Sequence, residues 1–539
     1  MAGTIIEGRT LQENPSPLTP DFCIVGSGAG GGVCALKLAE AGFDVLVLEE
    51  GPNIPKGQGH GGESHKRPTF TERELDMYKT LYQEGGGRLT SDNAIKVMQG
   101  RCLGGGTTVN WSACLPPPVF TLNHWRNNFG THFTRDNLEP YMVEVVNFLG
   151  INRNDRYNTS AQALIRGCTA LGYRWSNLPN NTRECRECGS CGVGCPYDRK
   201  QSGIVTWLPA ALREGANIYT DTKVDKLVMS GGRITEVHAV FLDKTTQPTG
   251  KKLVVRPKLG VLLAAGAIGT PAILLRSRIN PNNMVGKFTH IHPVTICIGR
   301  YRDRTYPAYG VPDNMMSDQF AAGETGYLIE TGSFFPVLSA AASLDYGTRL
   351  REVMRDYYPF GAIMYAHHCT GFDPDEPYGT LKLDKYNDPD LDYKLADENK
   401  NAMRQSLKEM TRIHLAAGAE SVYHLTNPSI VIKSVSELDQ LDNVSYEPQR
   451  ATIFTVHVMG GCRMNAAANR GVVDVDFSLR GASNAWVVDA SVFPTGLGAN
   501  PQVTIYSLAL RAARHICEKH SKPFVLKHQQ GGTWPWPEY

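Results

Sequence analysis

Residues 22–50 read FCIVGSGAGGGVCALKLAEAGFDVLVLEE, and this stretch decides the fold of the chain. An apolar run ends at Gly26, Gly28 and Gly31, and a helix-forming segment follows, which predicts a strand, a tight turn and a helix. The first glycine permits the turn, the second lets the backbone approach a pyrophosphate, and the third lets helix and strand pack closely. Glu49 closes the second apolar run, where a carboxylate can hydrogen-bond a ribose 2′-hydroxyl. The stretch therefore predicts a site for an adenine dinucleotide.

The composition is that of a globular protein with more than one domain. A chain of 539 residues with 41% hydrophobic and 20% charged residues is too long for a single core. Lys and Arg total 55 against 53 for Asp and Glu, without a long basic run, so nothing points to nucleic acid as a partner. We see no signal peptide in residues 1–20 and no transmembrane segment. We expect a soluble chain, cytoplasmic by default, which a partner subunit could still export or attach to a membrane.

The predicted elements indicate an α/β protein whose Rossmann-like domain is assembled from discontinuous segments. Strand, acid, glycine turn and helix recur near the C-terminus, with a strand at 485–488 and a helix at 503–519. A second, α+β domain with an antiparallel sheet is expected between these pieces, with strands at 326–336 and 360–368. We divide the chain into an N-terminal arm (1–20), a dinucleotide-binding domain (21–118, 196–299 and 452–520), a helical, cysteine-rich insertion (119–195), a substrate domain (300–451) and a C-terminal tail (521–539).

A second glycine-rich segment, QGRCLGGGTTVNWSACLPPP, covers residues 99–118. Its three successive glycines, with Gly105 in the middle, precede Thr107 and offer backbone donors at close range, as a second phosphate or ring contact requires. The alternative interpretation is a glycine turn between strands.

Four of the thirteen cysteines are clustered, at Cys185, Cys188, Cys191 and Cys195. Their spacing, C-x2-C-x2-C-x3-C-P, is that of runs that hold bacterial iron–sulfur clusters. Such runs often give their fourth cysteine to a second cluster, and the chain has no second set. Structural thiols, disulfides and a zinc site are the alternatives.

The motifs together resemble the glucose-methanol-choline (GMC) family of FAD-dependent alcohol oxidoreductases. Besides the first glycine turn, the resemblance rests on the segments 100–110, 266–277, 285–293 and 457–462 and on Asp489 with 498–504. Arg278 stands where the family usually has glycine. The segments GGGTTVNWSA, HVMGGCRM and GANPQVTI are most similar to the long-chain (fatty) alcohol oxidase branch, and cholesterol oxidases are similar in carrying His and Asn at the two active positions.

The resemblance implies FAD as the cofactor, and the lack of histidine between Met98 and Pro118 predicts that it is bound noncovalently. It also implies a cofactor contact for each of the following residues: Gly26, Gly28, Gly31, Glu49, Arg101, Gly105, Thr107, Asn110, Val224, Asp489, Asn500 and Pro501. For Asp489, helix capping is the alternative.

His457 and Asn500 are the expected catalytic residues. Oxidation of a hydrophobic primary or secondary alcohol to an aldehyde or ketone needs a base for the hydroxyl proton, for which imidazole is suited, and a hydride acceptor, flavin N5. Asn500 would orient the substrate oxygen, residues 332–344 are a candidate pocket wall, and electrons would pass to O2, a quinone or a cytochrome-type partner. The alternative is a noncatalytic flavoprotein or iron–sulfur electron-relay subunit of a larger dehydrogenase complex.

Three other histidines are interpreted as structural. His367 and His368 adjoin in a predicted strand, so one is expected to face the core and the other solvent. His414 shares a helix face with apolar residues and is expected on the helix surface or in the core.

Overall fold

The computed structural model describes residues 2–56, 67, 69–376 and 378–528, so most of the predicted C-terminal tail lies outside the described residues. None of the described helices is both long and apolar enough to cross a membrane. The described α-helices are α1 (Ala29–Glu40), α2 (Glu74–Leu81), α3 (Gly106–Val109), α4 (Val119–Phe129), α5 (Arg135–Leu149), α6 (Thr159–Leu171), α7 (Trp207–Arg213), α8 (Gly266–Arg276), α9 (Pro336–Ala342), α10 (Gly347–Glu352), α11 (Asp397–Ala416) and α12 (Gln502–Lys519).

A six-stranded parallel sheet forms the nucleotide-binding half. Its strands lie in the order Ile5–Glu7, Asn217–Thr220, Val45–Leu48, Phe22–Val25, Gly260–Leu263 and Ala485–Val487. The last four strands in this order are buried along their whole length, because helices cover the sheet. Such burial agrees with the continuous apolar runs of the sequence. The helix α1 packs against α7 and α12, so segments from both halves of the chain cover the glycine turn. The predicted discontinuous Rossmann-like domain is confirmed, and residues 5–7, expected in an N-terminal arm, form its edge strand.

A nine-stranded, mainly antiparallel sheet forms the other half. Seven of its strands lie in the order Ile430–Ile432, Ser421–His424, Val294–Arg300, Gly361–His368, Tyr327–Thr331, Met315–Ser317 and Ser176–Asn177. Ile453–Thr455 pairs with Val294–Arg300 and, in parallel, with Ile95–Val97. The helices α6 and α11 cover this sheet. Four strands of this sheet thus lie wholly or almost wholly outside 300–451: Ile95–Val97, Ser176–Asn177, Val294–Arg300 and Ile453–Thr455.

Three smaller sheets complete the described strands. A three-stranded antiparallel sheet consists of Thr222–Ser230, Arg233–Leu242 and Pro248–Val255. Two antiparallel pairs are Thr289–Ile291 with Val458–Gly460 and Gly379–Leu383 with Pro389–Tyr393. Asp221, with a φ of 53°, separates Asn217–Thr220 from Thr222–Ser230, and these two strands belong to different sheets.

The structure corrects two expectations in the substrate half. The strand expected over 326–336 ends at Thr331, because Pro336 opens α9 and the chain turns into that helix. His367 and His368 are both buried, since helices and loops cover both faces of their central strand, so neither faces solvent. His414 is in the core, where its Nδ1 lies 3.0 Å from the Tyr301 hydroxyl.

Candidate active site

The first glycine turn has the shape that phosphate binding needs. Gly26 has a φ of +99°, and a Cβ there would lie 2.3 Å from the carbonyl oxygen of Ala264. A Cβ on Gly31 would lie 2.0 Å from the carbonyl oxygen of Gly26, so this glycine is required for packing of α1 on the turn. A Cβ on Gly28 would meet nothing within 4 Å, and Gly28 borders a large cavity. The open space lies at the N-terminus of α1, where a pyrophosphate would be stabilised.

Glu49 is buried beside this turn. Its carboxylate accepts hydrogen bonds from the backbone N–H of Ser27 at 3.0 Å and of Gly51 at 2.8 Å, and from the Ser27 hydroxyl at 2.5 Å. Burial raises the pKa of Glu49, although these hydrogen bonds oppose the shift. The Ser27 hydroxyl also accepts from the Gly104 backbone N–H at 2.9 Å, so it joins the two glycine-rich segments.

One cavity of about 1310 Å³ runs from the first glycine turn to the substrate sheet. Its volume and its open space at the helix N-terminus suit an extended dinucleotide such as FAD. Gly31 does not line it, in keeping with its packing role. The predicted cofactor contacts that do line it are Gly26, Gly28, Glu49, Arg101, Gly105, Thr107, Asn110, Val224, Asp489, Asn500 and Pro501.

The second glycine segment borders the middle of this cavity. Gly105 has a φ of +53°, and its Cα lies beside Gly28, since a Cβ there would be 3.2 Å from the Gly28 Cα. Thr107 donates to the Gly104 carbonyl at 2.7 Å, which holds the turn. The Asn110 amide donates to Gln502 Oε1 at 3.0 Å and so joins this segment to α12.

Asp489 links the C-terminal strand to the start of α8. Its carboxylate accepts from the Gly266 N–H at 2.9 Å, the Thr270 hydroxyl at 2.6 Å and the Ser491 N–H at 2.8 Å. These contacts establish helix capping, while a contact with the cofactor stays a prediction.

His457 lines the cavity and belongs to a chain of hydrogen bonds. Its Nδ1 is 3.1 Å from Nδ1 of His292, and the Gly498 backbone N–H donates to Nε2 of His292 at 3.0 Å. Burial lowers the pKa of His457 to about 3 and that of His292 well below its usual value, so both rings are neutral near pH 7. Because a backbone N–H can only donate, His292 carries its proton on Nδ1 and donates it to His457. The hydrogen-bond network therefore assigns the proton of His457 to Nε2.

A buried carboxylate, Glu330, holds three other residues of the site. It lies 2.9 Å from His367 Nε2, 2.8 Å from the Tyr365 hydroxyl and 3.4 Å from Asn500 Nδ2. Burial would raise the pKa of Glu330, but the neighbouring His367 and these hydrogen bonds lower it, while burial and the Glu330 charge raise the pKa of Asp313 well above its usual value. Glu330 is thus the more acidic carboxyl group of this pair. Asn500 Oδ1 and His367 Nδ1 are buried and have no hydrogen-bond partner among the residues that the structure describes.

The end of the cavity beyond His457 is mostly apolar. Trp111 packs edge-on against Phe334 and Tyr365, with centroid distances of 5.3 and 5.8 Å. We call this region the apolar chamber, and it is lined by Tyr78, Met98, Trp111, Val294, Ile296, Phe334, Leu338, Tyr365 and Phe454. Phe334 and Leu338 come from the segment 332–344, which is a loop leading into α9.

The four clustered cysteines form a loop beside the cavity, and in the described part of the chain no cysteine forms a disulfide. Burial and, to a smaller extent, the proximity of Cys188 and Cys195 raise the pKa of Cys185 to about 11. Burial also raises the pKa of Cys191, which Lys200 lowers and the other three thiols raise. The four side chains therefore lie near enough to one another for their charges to interact.

Sequence reasoning missed Glu330, His367 and His292. A glutamate inside the apolar run YLIET was the available signal for Glu330, because a buried carboxylate needs partners. His292 lies in one of the motif segments quoted above, but nothing in the sequence placed it next to His457.

Fold and site together define a dinucleotide-dependent oxidoreductase with an apolar substrate chamber. Family models match the chain as "GMC oxidoreductase" over residues 78–294 and 374–509 and as "NAD(P)-binding Rossmann-like domain" over 24–67. The chain belongs to the GMC oxidoreductase family, and it binds FAD.

Individual relatives agree with this assignment. A long-chain-alcohol oxidase from Arabidopsis thaliana is 29% identical over 92% of this chain and 68% of its own length. A cholesterol oxidase from Acinetobacter baumannii is 21% identical over 93% of this chain and 95% of its own length. The solved structure of formate oxidase from Aspergillus oryzae matches 94% of this chain and 99% of its own with a TM-score of 0.70 and 16% identity, which shows the common fold.

Proposed function

We propose that the protein oxidises a hydrophobic primary or secondary alcohol to the aldehyde or ketone with noncovalently bound FAD. The observation that carries the proposal is a single cavity with a dinucleotide cradle at one end, the apolar chamber at the other, and His457 and Asn500 between them. The names of two relatives denote alcohols with large apolar bodies, which fits this chamber.

The unpartnered groups of the site suit a hydroxyl. Asn500 Oδ1 would accept a hydrogen bond from the alcohol, since its Nδ2 is held by Glu330. His457 Nε2–H would donate to the alcohol oxygen and stabilise negative charge that develops there. Bound FAD supplies the acceptor for the carbinol hydride, at N5 of its ring.

The sequence-based prediction gave His457 the role of base. The hydrogen bonds favour His457 as a hydrogen-bond donor and another histidine as the base. As a base, His457 would need an acceptor at Nε2 and hence a proton on Nδ1, where it would oppose the Nδ1–H of His292. His367 has a partner-free Nδ1 and an Nε2–H held by Glu330, which is the arrangement of a base and its orienting carboxylate. One nitrogen each of His367, His292 and His457 lies within 4.8 Å of the others, so His367 belongs to the same cluster as His457. We assign the hydroxyl proton to His367 Nδ1.

Anaerobic stopped-flow reduction of the flavin by fatty, terpenoid, sterol and sugar alcohols tests the function. Bleaching by at least one apolar alcohol is expected, and failure of the whole panel would favour a noncatalytic electron-relay subunit. Release of all flavin by acid precipitation would verify noncovalent binding. The rate at which air reoxidises the reduced flavin, compared with the rate for a quinone dye, distinguishes an oxidase from a dehydrogenase.

Two substitutions at position 457 test the roles. His457→Gln keeps an N–H donor and should retain about tenfold more activity than His457→Ala. One well-placed donor stabilises a transition state by roughly 2.7–4 kcal/mol, and the glutamine N–H, which is not placed like the imidazole N–H, should supply only part of this. Equal loss in both variants would return the role of base to His457. His238→Gln, on the three-stranded sheet, controls for the chemical change.

A further inference from the structure

The four-cysteine loop lies directly against the flavin cavity. Gly192, inside the loop, lines the cavity, and its carbonyl accepts a hydrogen bond from the Tyr82 hydroxyl at 2.5 Å. Tyr82 and Trp111 line the same wall, and a Cβ on Gly192 would lie 2.6 Å from Trp111 Nε1. Nothing separates the loop from the wall of the cofactor site at this point.

Backbone amides of the loop point at its sulfur atoms. The N–H of Glu187 donates to Cys185 Sγ and that of Lys200 to Cys195 Sγ, both at 3.4 Å. Glu184 and Glu187 take φ values of 47° and 56°, in the left-handed region that glutamate rarely adopts. Such alternation of backbone conformation turns amides inward and makes a concavity for anions, including iron–sulfur groups.

A buried cation without a carboxylate faces the same loop. Lys200 is 1% exposed, and its ammonium donates to the carbonyl oxygens of Thr108 at 2.8 Å, Asn110 at 2.6 Å and Cys191 at 2.8 Å. Within the described part of the chain it forms no ion pair with an acid. A buried charge is costly unless an opposite charge lies near it, and the surrounding thiols are the groups that could supply one.

We propose that Cys185, Cys188, Cys191 and Cys195 ligate an iron–sulfur cluster that carries single electrons away from the flavin. The spacing of the cysteines is that of cluster-binding runs. Thiolate ligation would give the loop a negative charge. This charge would pair with the positive charge of Lys200, which has no acidic partner in the described part of the chain. Lys200 spans Cys191 and the segment Thr108–Asn110 on the cavity wall, so the cluster would be only a few bonds from the cofactor site.

The geometry favours a cluster over one zinc ion. Four thiolates at about 2.3 Å from a single zinc bring their sulfurs close together. Among the described residues, however, no three of these sulfurs lie within 4.8 Å of one another. A cluster keeps its ligating sulfurs farther apart, because iron atoms occupy the corners between them.

The electron count rests on the proposed function. Oxidation of one alcohol releases two electrons and two protons, and the cluster would accept the electrons from the reduced cofactor one at a time and pass each to a one-electron acceptor such as a cytochrome or ferricyanide. The alcohol carbon is oxidised and two acceptor molecules are reduced.

The test is metal analysis of the full chain, purified without oxygen and then incubated with ferrous iron and sulfide. We expect about four iron and four sulfide per chain, in the ratio of a cubane cluster, with broad visible absorption and an electron paramagnetic resonance signal after reduction. Cys188→Ala should lose both, and Cys168→Ala, a buried thiol of α6, should keep both. Lys200→Met should lower the reduction potential of the cluster, because a positive charge beside it is removed.

Three results would overturn the inference: flavin bands alone in the reconstituted wild type, zinc without sulfide, or equal iron in Cys188→Ala and Cys168→Ala. If Cys188→Ala does not fold, the iron and sulfide content of the wild type decides. Flavin reduction by alcohols is recorded on the same samples. If alcohols still reduce the flavin in wild-type protein that forms no cluster after reconstitution, the cluster is refuted and the proposed function stands.

Discussion

Replacing Gly28 with alanine should weaken FAD binding and leave the fold intact. The backbone of Gly28, with φ −64° and ψ −161°, is accessible to alanine, and the new methyl group would meet no protein atom within 4 Å. The methyl group would instead occupy the opening at the N-terminus of α1, where the pyrophosphate is expected. The substitution therefore separates cofactor affinity from stability.

The size of the effect follows from the contacts that are lost. A phosphate displaced from one or two backbone N–H donors gives up about 1.5–3 kcal/mol per charge-assisted hydrogen bond. Since 1.4 kcal/mol corresponds to a tenfold change, the dissociation constant of FAD should rise by about 10- to 100-fold. The apoprotein should lose only a few tenths to about 1 kcal/mol, the cost of alanine at a helix N-cap.

Two neighbouring glycines provide matched controls. Gly31→Ala places a Cβ 2.0 Å from a backbone oxygen and should destabilise the apoprotein, whereas Gly32→Ala meets Trp207 at an ordinary 3.4 Å and should change neither property. Quenching of flavin fluorescence on titration of apoprotein gives the affinity, and urea unfolding gives the stability. A dissociation constant of Gly28→Ala for FAD within threefold of the wild-type value would refute the predicted role of Gly28.

Three further predictions concern the substrate half. Glu330→Gln should slow flavin reduction by about 100-fold, as loss of an oriented base does, with FAD content unchanged; a rate within threefold would contradict this role. Leu338→Ala should lower kcat/KM for long-chain alcohols by about tenfold, the effect of a lost apolar contact, while Leu75→Ala, on the exposed side of α2, should not; equal values for both would remove Leu338 from the substrate contact. Acid should destabilise the fold between pH 6.5 and about pH 3, because burial holds the pKa of several histidines at about 3 or 4 and the unfolded chain takes up protons first. Each should cost about 1 kcal/mol on going from pH 7 to 5.5, to be measured by urea unfolding at both values, and an unchanged free energy of unfolding would refute it. These histidines are His290, His368, His414 and His424.

The nucleotide half was predictable because its constraints are local. Gly26, Gly28 and Gly31 serve three requirements within one turn, so their spacing alone predicts the geometry that the structure shows. The strand and helix expected near the C-terminus, at 485–488 and 503–519, agree with the observed Ala485–Val487 and Gln502–Lys519 to within one residue at each end. Each of these signals depends on neighbours in sequence.

The substrate half was harder to predict because its contacts join distant segments. Glu330 acquires its role only when His367 and Asn500 lie beside it, and nothing near residue 330 in the sequence indicates them. The alternation rule predicted one buried and one exposed histidine at 367 and 368, and it failed because the central strand of this sheet is covered on both faces.

The order of strands in the parallel sheet has a consequence for biosynthesis. Phe22–Val25 pairs with Gly260–Leu263, which in turn needs Ala485–Val487 on its other edge. A ribosome therefore exposes the phosphate turn long before it delivers the last strand and α12, which covers that turn. We therefore expect the coenzyme to load only after these segments have been translated, late in the synthesis of the described part of the chain.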